Sequence, residues 1–465
     1  MATAPRTDLS FLFWTLLIVV VAAPLPFGSV DGWSWALLAT VVGALLAVWS
    51  AQVLLGRKTP AFGLRSLWPL LLLFAAAVLW AWLQAARGWL PALWQHPLWE
   101  LTGEALGWDL KGAVSIDPYE TGAAIIRLLT YAGVFWLALQ FGQRNIRARQ
   151  GLIWVSYAGM AYAFYGLIMY FLGLDLILFF QKTAYLDDLT STFVNRNSYA
   201  TFAGLGLICT SGLIMVMITQ TVAGGRTAGA EGLLRVIETV AEKGWPLVVG
   251  WLAQLLALFL SHSRGGLLAT LLGLVAFLAA AAGTRAVDRR LALTVGGIGG
   301  VLLAGFLLIN GEAVVKRLLT TSFEEEDRPL VYERVTDAIH DAGSLGTGYG
   351  TFEEVFRFYR TPDIEGTFAK AHNVYLENLL ELGIPAALAL FAVVAGLALL
   401  CVVGIRRRRQ NSVYPCVGIG VTVLVAAHAI VDFSLQIPAV TITYAFLMGI
   451  AVAQCWSSRR AEDPW

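Results

Sequence analysis

Long apolar runs dominate the pattern of hydrophobic and polar positions along the chain. A helix needs about 20 mostly apolar residues to cross the hydrocarbon core of a membrane. The runs therefore predict an all-α polytopic membrane protein with about twelve transmembrane helices. They lie near residues 11–29, 33–55, 67–86, 122–142, 151–173, 198–219, 245–261, 264–283, 291–310, 373–403, 412–432 and 437–456.

The composition agrees with this fold class. The 465 residues are 58% hydrophobic and only 14% charged, and the mean hydropathy is +0.70. A soluble domain carries about a quarter charged residues, so a cytosolic enzyme, a secreted disulfide scaffold and a disordered chain are excluded. The net charge of +1 indicates no nucleic-acid partner. All four cysteines fall inside apolar runs and predict neither a zinc site nor a disulfide framework.

The distribution of basic residues predicts the orientation in the membrane. Most of the 32 Lys and Arg residues lie in alternate short loops, which the positive-inside rule places in the cytoplasm. Both termini are then cytoplasmic, and we expect the first run to remain as a span rather than to be cleaved as a signal peptide. The chain divides into residues 1–310 with spans 1–9, an outer helical subdomain at 311–372, and residues 373–465 with spans 10–12.

The outer segment predicts two short helices. Asp327-Arg328-Pro329 is typical of a helix start, and a second helix is predicted from Thr351 to Arg360. Between them, Gly346-Thr347-Gly348-Tyr349-Gly350 lacks the lysine and the preceding strand of a nucleotide-binding loop. The acidic run at 324–327 is predicted to be a solvated loop.

The strongest candidate for ligand binding is Arg264, in the sequence Ser263-Arg264-Gly265-Gly266. It joins the seventh and eighth runs at the predicted outer surface with almost no loop. A guanidinium can hold a phosphate group bidentately, and the two glycines allow a ligand to approach the backbone closely. The alternative is an arginine that merely ends a span and extends to the interface.

A second cation lies at the same predicted outer level. Asn195-Arg196-Asn197-Ser198 opens the sixth run, where an Asn or Ser side chain can cap the helix. The amides of a helix N-terminus favour an anion. The alternative is a simple cap beside an interfacial arginine, but Arg196 and Arg264 together place two cations at one face.

A candidate proton acceptor, His372, lies where the outer segment meets the tenth run. A neutral imidazole can take a proton from a hydroxyl nucleophile, and the alternative is a hydrogen-bonded structural histidine. Glu377 and Glu381 are four residues apart within the predicted span and therefore need partners. His428 and Asp432, also four apart, are predicted to form a structural pair.

These residues together resemble the O-antigen ligase and O-antigen or exopolysaccharide polymerase superfamily of bacterial inner-membrane glycosyltransferases. The resemblance covers roughly residues 190–440. The ligase pattern of His, then Asn, then nine residues and Gly is met by His372, Asn373 and Gly383, but Ala386 occupies a position that is usually Gly, Thr or Tyr. The other motifs that carry it are Asn195-Arg196-Asn197, Ser263-Arg264-Gly265-Gly266 and Gly346-x-Gly348-x-Gly350.

The resemblance implies a multi-helix membrane fold of the GT-C type and a donor glycan on undecaprenyl diphosphate. It implies that Arg264 and Arg196 bind the diphosphate and that His372 acts as general base, with no cofactor and no metal. The acceptor is a second lipid-linked repeat unit in a polymerase, or the lipopolysaccharide core in a ligase. The remaining candidate substrate-binding residues are Asn195, Ser263, Gly265, Asn373 and Arg334.

Polymerase is favoured over ligase, on the resemblance alone. A transporter or flippase for lipid-linked glycans is a third possibility, although transporters are often built from two similar halves and no internal repeat is visible here. A scaffold of an envelope complex would leave the arginines without a task. Chain-length regulator and flippase proteins are further partners that the resemblance suggests. The sequence leaves open whether Arg334, Arg357 or Arg360 contacts substrate.

Overall fold

The computed structural model describes residues 10–223, 230–284, 328–364, 366–407 and 412–456. The predicted ninth span at 291–310, the acidic run at 324–327 and both ends of the chain lie outside the described residues.

Helices make up nearly all of the regular structure in the described residues. The exception is one short antiparallel pair, β1 (Leu176–Ile177) and β2 (Phe180–Gln181). In chain order the helices are α1 Ser10–Ala22, α2 Gly32–Leu54, α3 Trp68–Ala85, α4 Leu98–Leu106, α5 Pro118–Gly142, α6 Asn145–Phe171, α7 Arg196–Ala223, α8 Ala230–Thr239, α9 Trp245–Leu260, α10 Arg264–Ala282, α11 Arg328–Ala342, α12 Phe352–Tyr359, α13 Val374–Leu382, α14 Ile384–Arg407, α15 Val413–His428 and α16 Pro438–Ala453.

The helices confirm an all-α polytopic membrane protein. Among the described residues, eight helical segments are long and apolar enough to cross a membrane. They correspond to predicted runs 2 to 8 and to run 10, and the shorter apolar helices α1, α15 and α16 correspond to runs 1, 11 and 12. The protein therefore passes through the membrane several times.

The predicted tenth span, 373–403, is two helices rather than one. α13 ends at Leu382, and α14 begins at Ile384. Gly383 between them has φ +75°, and a side chain there would collide with the carbonyl of Ser344. The helix is interrupted at Gly383 because this residue lies against the backbone of the outer segment. α13 therefore packs with that segment, and α14 forms the span.

Small residues let the helices of the bundle approach each other closely. A side chain at Gly449 in α16 would meet Ala138 of α5, and one at Gly273 in α10 would meet the backbone of Gly420 in α15. Lipid tails are as apolar as leucine, so membrane helices associate through such close packing and through buried hydrogen bonds. Gln254 supplies one of these bonds, donating from Nε2 to Oγ1 of Thr210 at 3.0 Å.

The outer segment has its own small core at one end of the bundle. Val331 and Val335 of α11 pack with Phe352 and Phe356 of α12, and Ala338 and Ile339 join them. The glycine-rich stretch between these helices fastens the segment to the bundle: the Thr347 carbonyl accepts from the amide of Ile116 at 2.9 Å. The glycines are required for packing, because a side chain at Gly348 would collide with Ser115.

Candidate functional site

Arg196 lies at the first turn of α7, where a short loop turns back into the bundle. Asn195 caps this helix, since its Oδ1 accepts from the amides of Asn197 at 2.7 Å and Ser198 at 3.2 Å. The Arg196 guanidinium donates to Oδ2 of Asp188 at 2.9 Å and lies over the ring of Tyr185. The cap is as predicted, and it fixes Arg196 at the start of the helix.

Arg264 is the first residue of α10, and its helix start is similarly built. The Ser263 side chain caps the helix by accepting from the amide of Gly266 at 3.1 Å. The helix start is packed tightly on two sides: a side chain at Gly266 would meet Ala200 of α7, and one at Gly265 would meet His428 and Val431. The glycines therefore bring the α10 N-terminus against both α7 and α15.

One carboxylate, Asp188, links the two arginine-bearing turns. Its Oδ1 lies 2.6 Å from Nδ1 of His262, two residues before Arg264, while its Oδ2 accepts from Arg196. Burial alone would raise the pKa of Asp188, but the hydrogen bonds and charges of His262 and Arg196 outweigh it and lower that pKa. Neither Asp188 nor His262 was singled out from the sequence; the signal was an acidic residue in the predicted outer loop just before Arg196.

His372 lies in a strained turn immediately before α13. Its φ is +52°, and its carbonyl accepts from the hydroxyl of Tyr332 at 3.0 Å. Asn373 caps α13 through its Oδ1, which accepts from the amides of Tyr375 and Leu376. The imidazole packs edge-on against Phe433, with 4.8 Å between ring centroids. A non-glycine residue at positive φ is a strained arrangement that is concentrated at functional sites.

Asp432 faces His372 and ties it to the start of α7. Oδ2 of Asp432 lies 3.6 Å from Nδ1 of His372 and accepts from the Asn197 side chain at 2.8 Å. Its Oδ1 accepts from the Ser434 hydroxyl at 2.7 Å. Burial opposes ionisation, but the neighbouring His372 and His428 imidazoles and the Ser434 hydroxyl hold the pKa of Asp432 at about 2.

His428 and Asp432 are not paired directly on one helix face, as their spacing predicts, but are linked through the Ser434 hydroxyl, which lies 3.4 Å from Nδ1 of His428 and donates to Oδ1 of Asp432. α15 ends at His428, so Asp432 lies in the following turn rather than on the same helix face. Nδ1 of His428 lies 2.6 Å from the Thr201 hydroxyl instead. The regular i, i+4 spacing suggested a helical pair because the end of the helix was not visible in the apolar pattern.

The buried glutamates of α13 hold the His372 turn in place. Glu377 accepts from Lys370 at 3.2 Å and from the amide of Ala371 at 2.9 Å. Glu381 accepts from the amide of Phe352 at 3.0 Å, which joins α13 to α12. Burial lowers the pKa of Lys370, but the Glu377 and Glu381 carboxylates outweigh it and raise that pKa. Both predicted glutamates thus have partners, and Glu377 positions the chain just before His372.

The outer-segment arginines differ in where they lie. Arg334 is paired with Asp337 at 2.9 Å and with Glu333 at 3.1 Å, so the structure does not bring it to His372. Arg357 pairs with Glu353, and Arg360 donates to the carbonyl of Ile364. Arg328, which served only as a helix-start signal, donates to the Val431 carbonyl at 3.0 Å and thus lies beside Asp432.

The arrangement combines anion-binding groups with a candidate base. Three capped helix N-termini, those of α7, α10 and α13, meet around the turn that carries Asp432. The Asn197 side chain of α7 donates to Asp432, Gly265 of α10 packs against Val431, and the Val374 amide of α13 donates to the Ala429 carbonyl at 2.9 Å. Helix N-termini and arginines favour negative charge, and His372 with its carboxylate neighbour is suited to proton transfer. Within the described ranges, no group of three His, Cys, Asp or Glu side chains has metal-binding geometry.

Residues 249–391 match the family model described as O-antigen ligase. The match confirms the resemblance to the O-antigen ligase and polymerase superfamily over this part of the chain, which includes Arg264 and His372. It covers less than a third of the chain and does not reach Asp188, Arg196 or Asp432. No curated protein matches the chain significantly.

Proposed function

We propose that this membrane protein, with its O-antigen ligase region at residues 249–391, polymerises lipid-linked oligosaccharide repeat units at the outer face of the bacterial inner membrane. The donor in this proposal is a glycan on undecaprenyl diphosphate, and the acceptor is a hydroxyl of a second lipid-linked unit. The observation that carries the proposal is the junction of two arginine-bearing helix starts with the His372–Asp432 pair.

The arginines supply the electrostatic part of the reaction. Arg196 and Arg264 bind the diphosphate and stabilise the negative charge that grows on the leaving oxygen as the glycosidic bond breaks. The N-termini of α7 and α10 add to this stabilisation because their first amides and dipoles favour an anion. Asp188 holds Arg196 and His262 in one arrangement, so the site needs little reorganisation when charge develops.

His372 supplies the proton transfer. Nδ1 of His372 faces Asp432, so Nε2 is the nitrogen that accepts the proton of the acceptor hydroxyl. The acceptor oxygen attacks the anomeric carbon, the bond from that carbon to the phosphate oxygen breaks, and its electron pair leaves with the diphosphate. The ionised Asp432 stabilises the imidazolium that forms, and their 3.6 Å separation shortens as charge develops. A single displacement of this kind inverts the anomeric configuration.

Two other functions remain as alternatives. An O-antigen ligase would use the same donor and base but would transfer the whole glycan to the lipopolysaccharide core. A transporter of lipid-linked glycans is less favoured, because a transporter typically holds its substrate near the membrane midplane, whereas the polar groups here lie where helices begin and end. Both alternatives make different predictions for the glycans on the cell surface.

The test is the pattern of surface glycans in a deletion strain that carries the wild-type gene, Arg264→Ala or His372→Ala. We expect wild type to restore a ladder of polymer and both variants to lose it, because losing an oxyanion-stabilising donor costs about 10²–10³ and a general base about 10²–10⁴ in rate. Arg357→Ala and His340→Ala are matched controls on the exposed surface of the outer segment and should retain the ladder.

The glycan that remains distinguishes the alternatives. Single repeat units on the lipopolysaccharide core indicate a polymerase, and loss of a free exopolysaccharide with normal lipopolysaccharide also does. A ladder on the lipid carrier with a bare core indicates a ligase. Wild-type ladders from both Arg264→Ala and His372→Ala would refute the assigned site and favour transport.

A further inference from the structure

The connection between α3 and α5, residues 86–117, carries an exposed apolar surface that the proposed reaction does not use. Four of the 17 tryptophans of the chain lie in this short connection. Its most exposed large apolar side chains are Leu93 at 91%, Trp89 at 69%, Trp108 at 65% and Leu101 at 57%. Single apolar residues are common on protein surfaces, but a group of large ones in one segment marks an interaction surface.

This surface continues the exposed side of the α3 span. Little of the span is buried inside the protein, and Leu79 and Trp82 are exposed along it, so that side faces lipid. The ring of Trp82 packs edge-on against the ring of Trp89, with 5.2 Å between the centroids. The apolar surface of the connection therefore begins where the lipid-facing side of the span ends.

The connection holds its apolar side chains outward because its inner side is folded back on itself. The Gly88 amide donates to the Gly112 carbonyl at 2.9 Å, and the Trp99 indole donates to the Ser115 carbonyl at 3.0 Å. Backbone groups close to hydrocarbon must find their partners within the protein. These bonds meet part of that requirement and make the connection an ordered element of the fold.

The charge of the connection indicates the depth at which it lies. Residues 86–117 contain four acidic and two basic residues, and Glu100, Glu104 and Asp109 are exposed. Acidic side chains are costly in hydrocarbon and are repelled by anionic headgroups, whereas tryptophan is enriched at the boundary between headgroups and acyl chains. With nine residues, α4 is too short to span the bilayer. This combination fits the headgroup region of zwitterionic phospholipid.

We propose that the connection is an interfacial anchor, which inserts Leu93, Leu101 and Trp108 among the phospholipids of the leaflet on the site side of the membrane. The anchor depends only on the membrane fold, so it stands whether or not the proposed reaction is correct. Its partner is the lipid surface itself, because the exposed side chains are continuous with a face that already lies against lipid.

The anchor is tied to the outer segment that packs over the site. The side chain of Gln84, in the last turn of α3, donates to the carbonyls of Leu345 at 2.7 Å and Glu381 at 2.9 Å. Glu381 belongs to α13, the helix that begins immediately after His372. The anchor thereby fixes the height of this helix relative to the headgroups of the bilayer.

The full-length protein in nanodiscs of zwitterionic phosphatidylcholine provides the test. A nitroxide spin label is attached to Leu93→Cys, Leu101→Cys or Trp108→Cys, and power saturation measures its collisions with oxygen, which concentrates in lipid, and with a water-soluble nickel chelate. The four natural cysteines are buried, which keeps the background low. We expect the ratio of oxygen to nickel collisions at these positions to be severalfold higher than at His340→Cys, on the outer segment, and to approach that at Leu72→Cys, on the exposed side of α3.

Two results would overturn the anchor. Ratios equal to that at His340→Cys at all three positions would show that the side chains lie in water. Labels that collide with neither reagent, with dipolar broadening between labelled copies, would show that a second copy of the chain covers the surface.

A charged substitution gives an independent measurement of insertion. Leu93→Asp should move the label on Trp108→Cys towards water, because a carboxylate is costly below the headgroups. Phe358→Asp, on the exposed surface of the outer segment, is the control and should leave that label unchanged. A label that does not respond to Leu93→Asp would show that Leu93 is not inserted and would contradict the anchor.

Discussion

At the scale of single residues, two carboxylates organise the candidate site. Asp188 joins Arg196 to His262, and Asp432 joins His372 to Asn197. Both side chains are buried, with 8% of Asp188 and 0% of Asp432 exposed, and an unpaired charge would be costly there. The cations and the imidazoles supply that pairing, so the groups expected to meet substrate are held in place by acids that do not themselves attack it.

We predict that Asp188→Asn weakens transfer mainly by misplacing Arg196. The asparagine retains the volume but loses the charge that holds the guanidinium and His262, so donor KM should rise by about tenfold or more. The measurement is a double-mutant cycle with Arg196→Ala, in which the effects should be strongly non-additive because the residues contact each other. Asp337→Asn, which breaks an exposed pair with Arg334, is the control and should change neither kinetic constant; additive effects in the cycle would contradict the prediction.

Asp432 also predicts a pH dependence of stability. Its pKa is about 2 in the folded protein, against an ordinary value of 3.8. A depressed pKa stabilises the fold fully above about pH 4, and this contribution, roughly 2 kcal/mol, is lost as the pH falls towards 2. Thermal unfolding between pH 6 and pH 3 should show a smaller acid-induced fall in Tm for Asp432→Asn than for wild type. An equal fall in both proteins would show that another group is responsible.

At the scale of elements, the site depends on where helices begin. Asn195, Ser263 and Asn373 cap α7, α10 and α13, and each cap is adjacent to a candidate functional side chain. A cap satisfies amides that have no partner within the helix, and it also fixes the residue at which the chain turns. The direction of each arginine or histidine follows from that turn.

We expect Ser263→Ala to destabilise the protein by about 1 kcal/mol, because the Gly266 amide loses its acceptor at a buried helix start. Ser263→Thr retains a hydroxyl that can cap and should lose much less. The midpoints of thermal unfolding in the same detergent give the comparison. Equal midpoints for alanine and threonine would show that the hydroxyl contributes no capping energy.

At the scale of the whole molecule, the bundle places all candidate functional side chains at one end. At the opposite end of the bundle, separate contacts hold the helices together. One is the hydrogen bond that the Gln454 side chain, just after α16, donates to the Gly142 carbonyl at the end of α5. α16 is buried along its whole length and packs along α5. The outer segment packs over the site end, so the site lies between the bundle and a small helical subdomain.

The orientation of this bundle is testable by cysteine labelling. The four natural cysteines are buried, which leaves a low background. We expect His340→Cys to react with a membrane-impermeant maleimide in intact spheroplasts and Arg149→Cys to react only after lysis, because the basic loops are predicted to be cytoplasmic. Lysis controls confirm that both positions are reactive. The reverse pattern would place the site in the cytoplasm and contradict the proposed donor geometry.

Much of this protein was determined by local sequence. Runs of apolar residues specify helices of membrane length, and a capping residue beside Arg196 marks the start of α7, because both signals depend only on neighbouring residues. His372 and Arg264 stood out as candidate functional residues because charged and titratable groups are rare in such a chain. The break at Gly383 lay inside an apolar run and was not visible, since it depends on contact with Ser344.

Only the tertiary structure decided which of these groups act together. Asp188 and Arg196 are near in sequence, but His262 joins them from across the bundle, and Asp432 reaches His372 only because α15 ends at His428. Arg334, a plausible ligand by charge, is instead used in exposed ion pairs. Partners of this kind are set by helix packing, in which distant turns meet because small residues let helices approach, and no periodicity within one segment records that meeting.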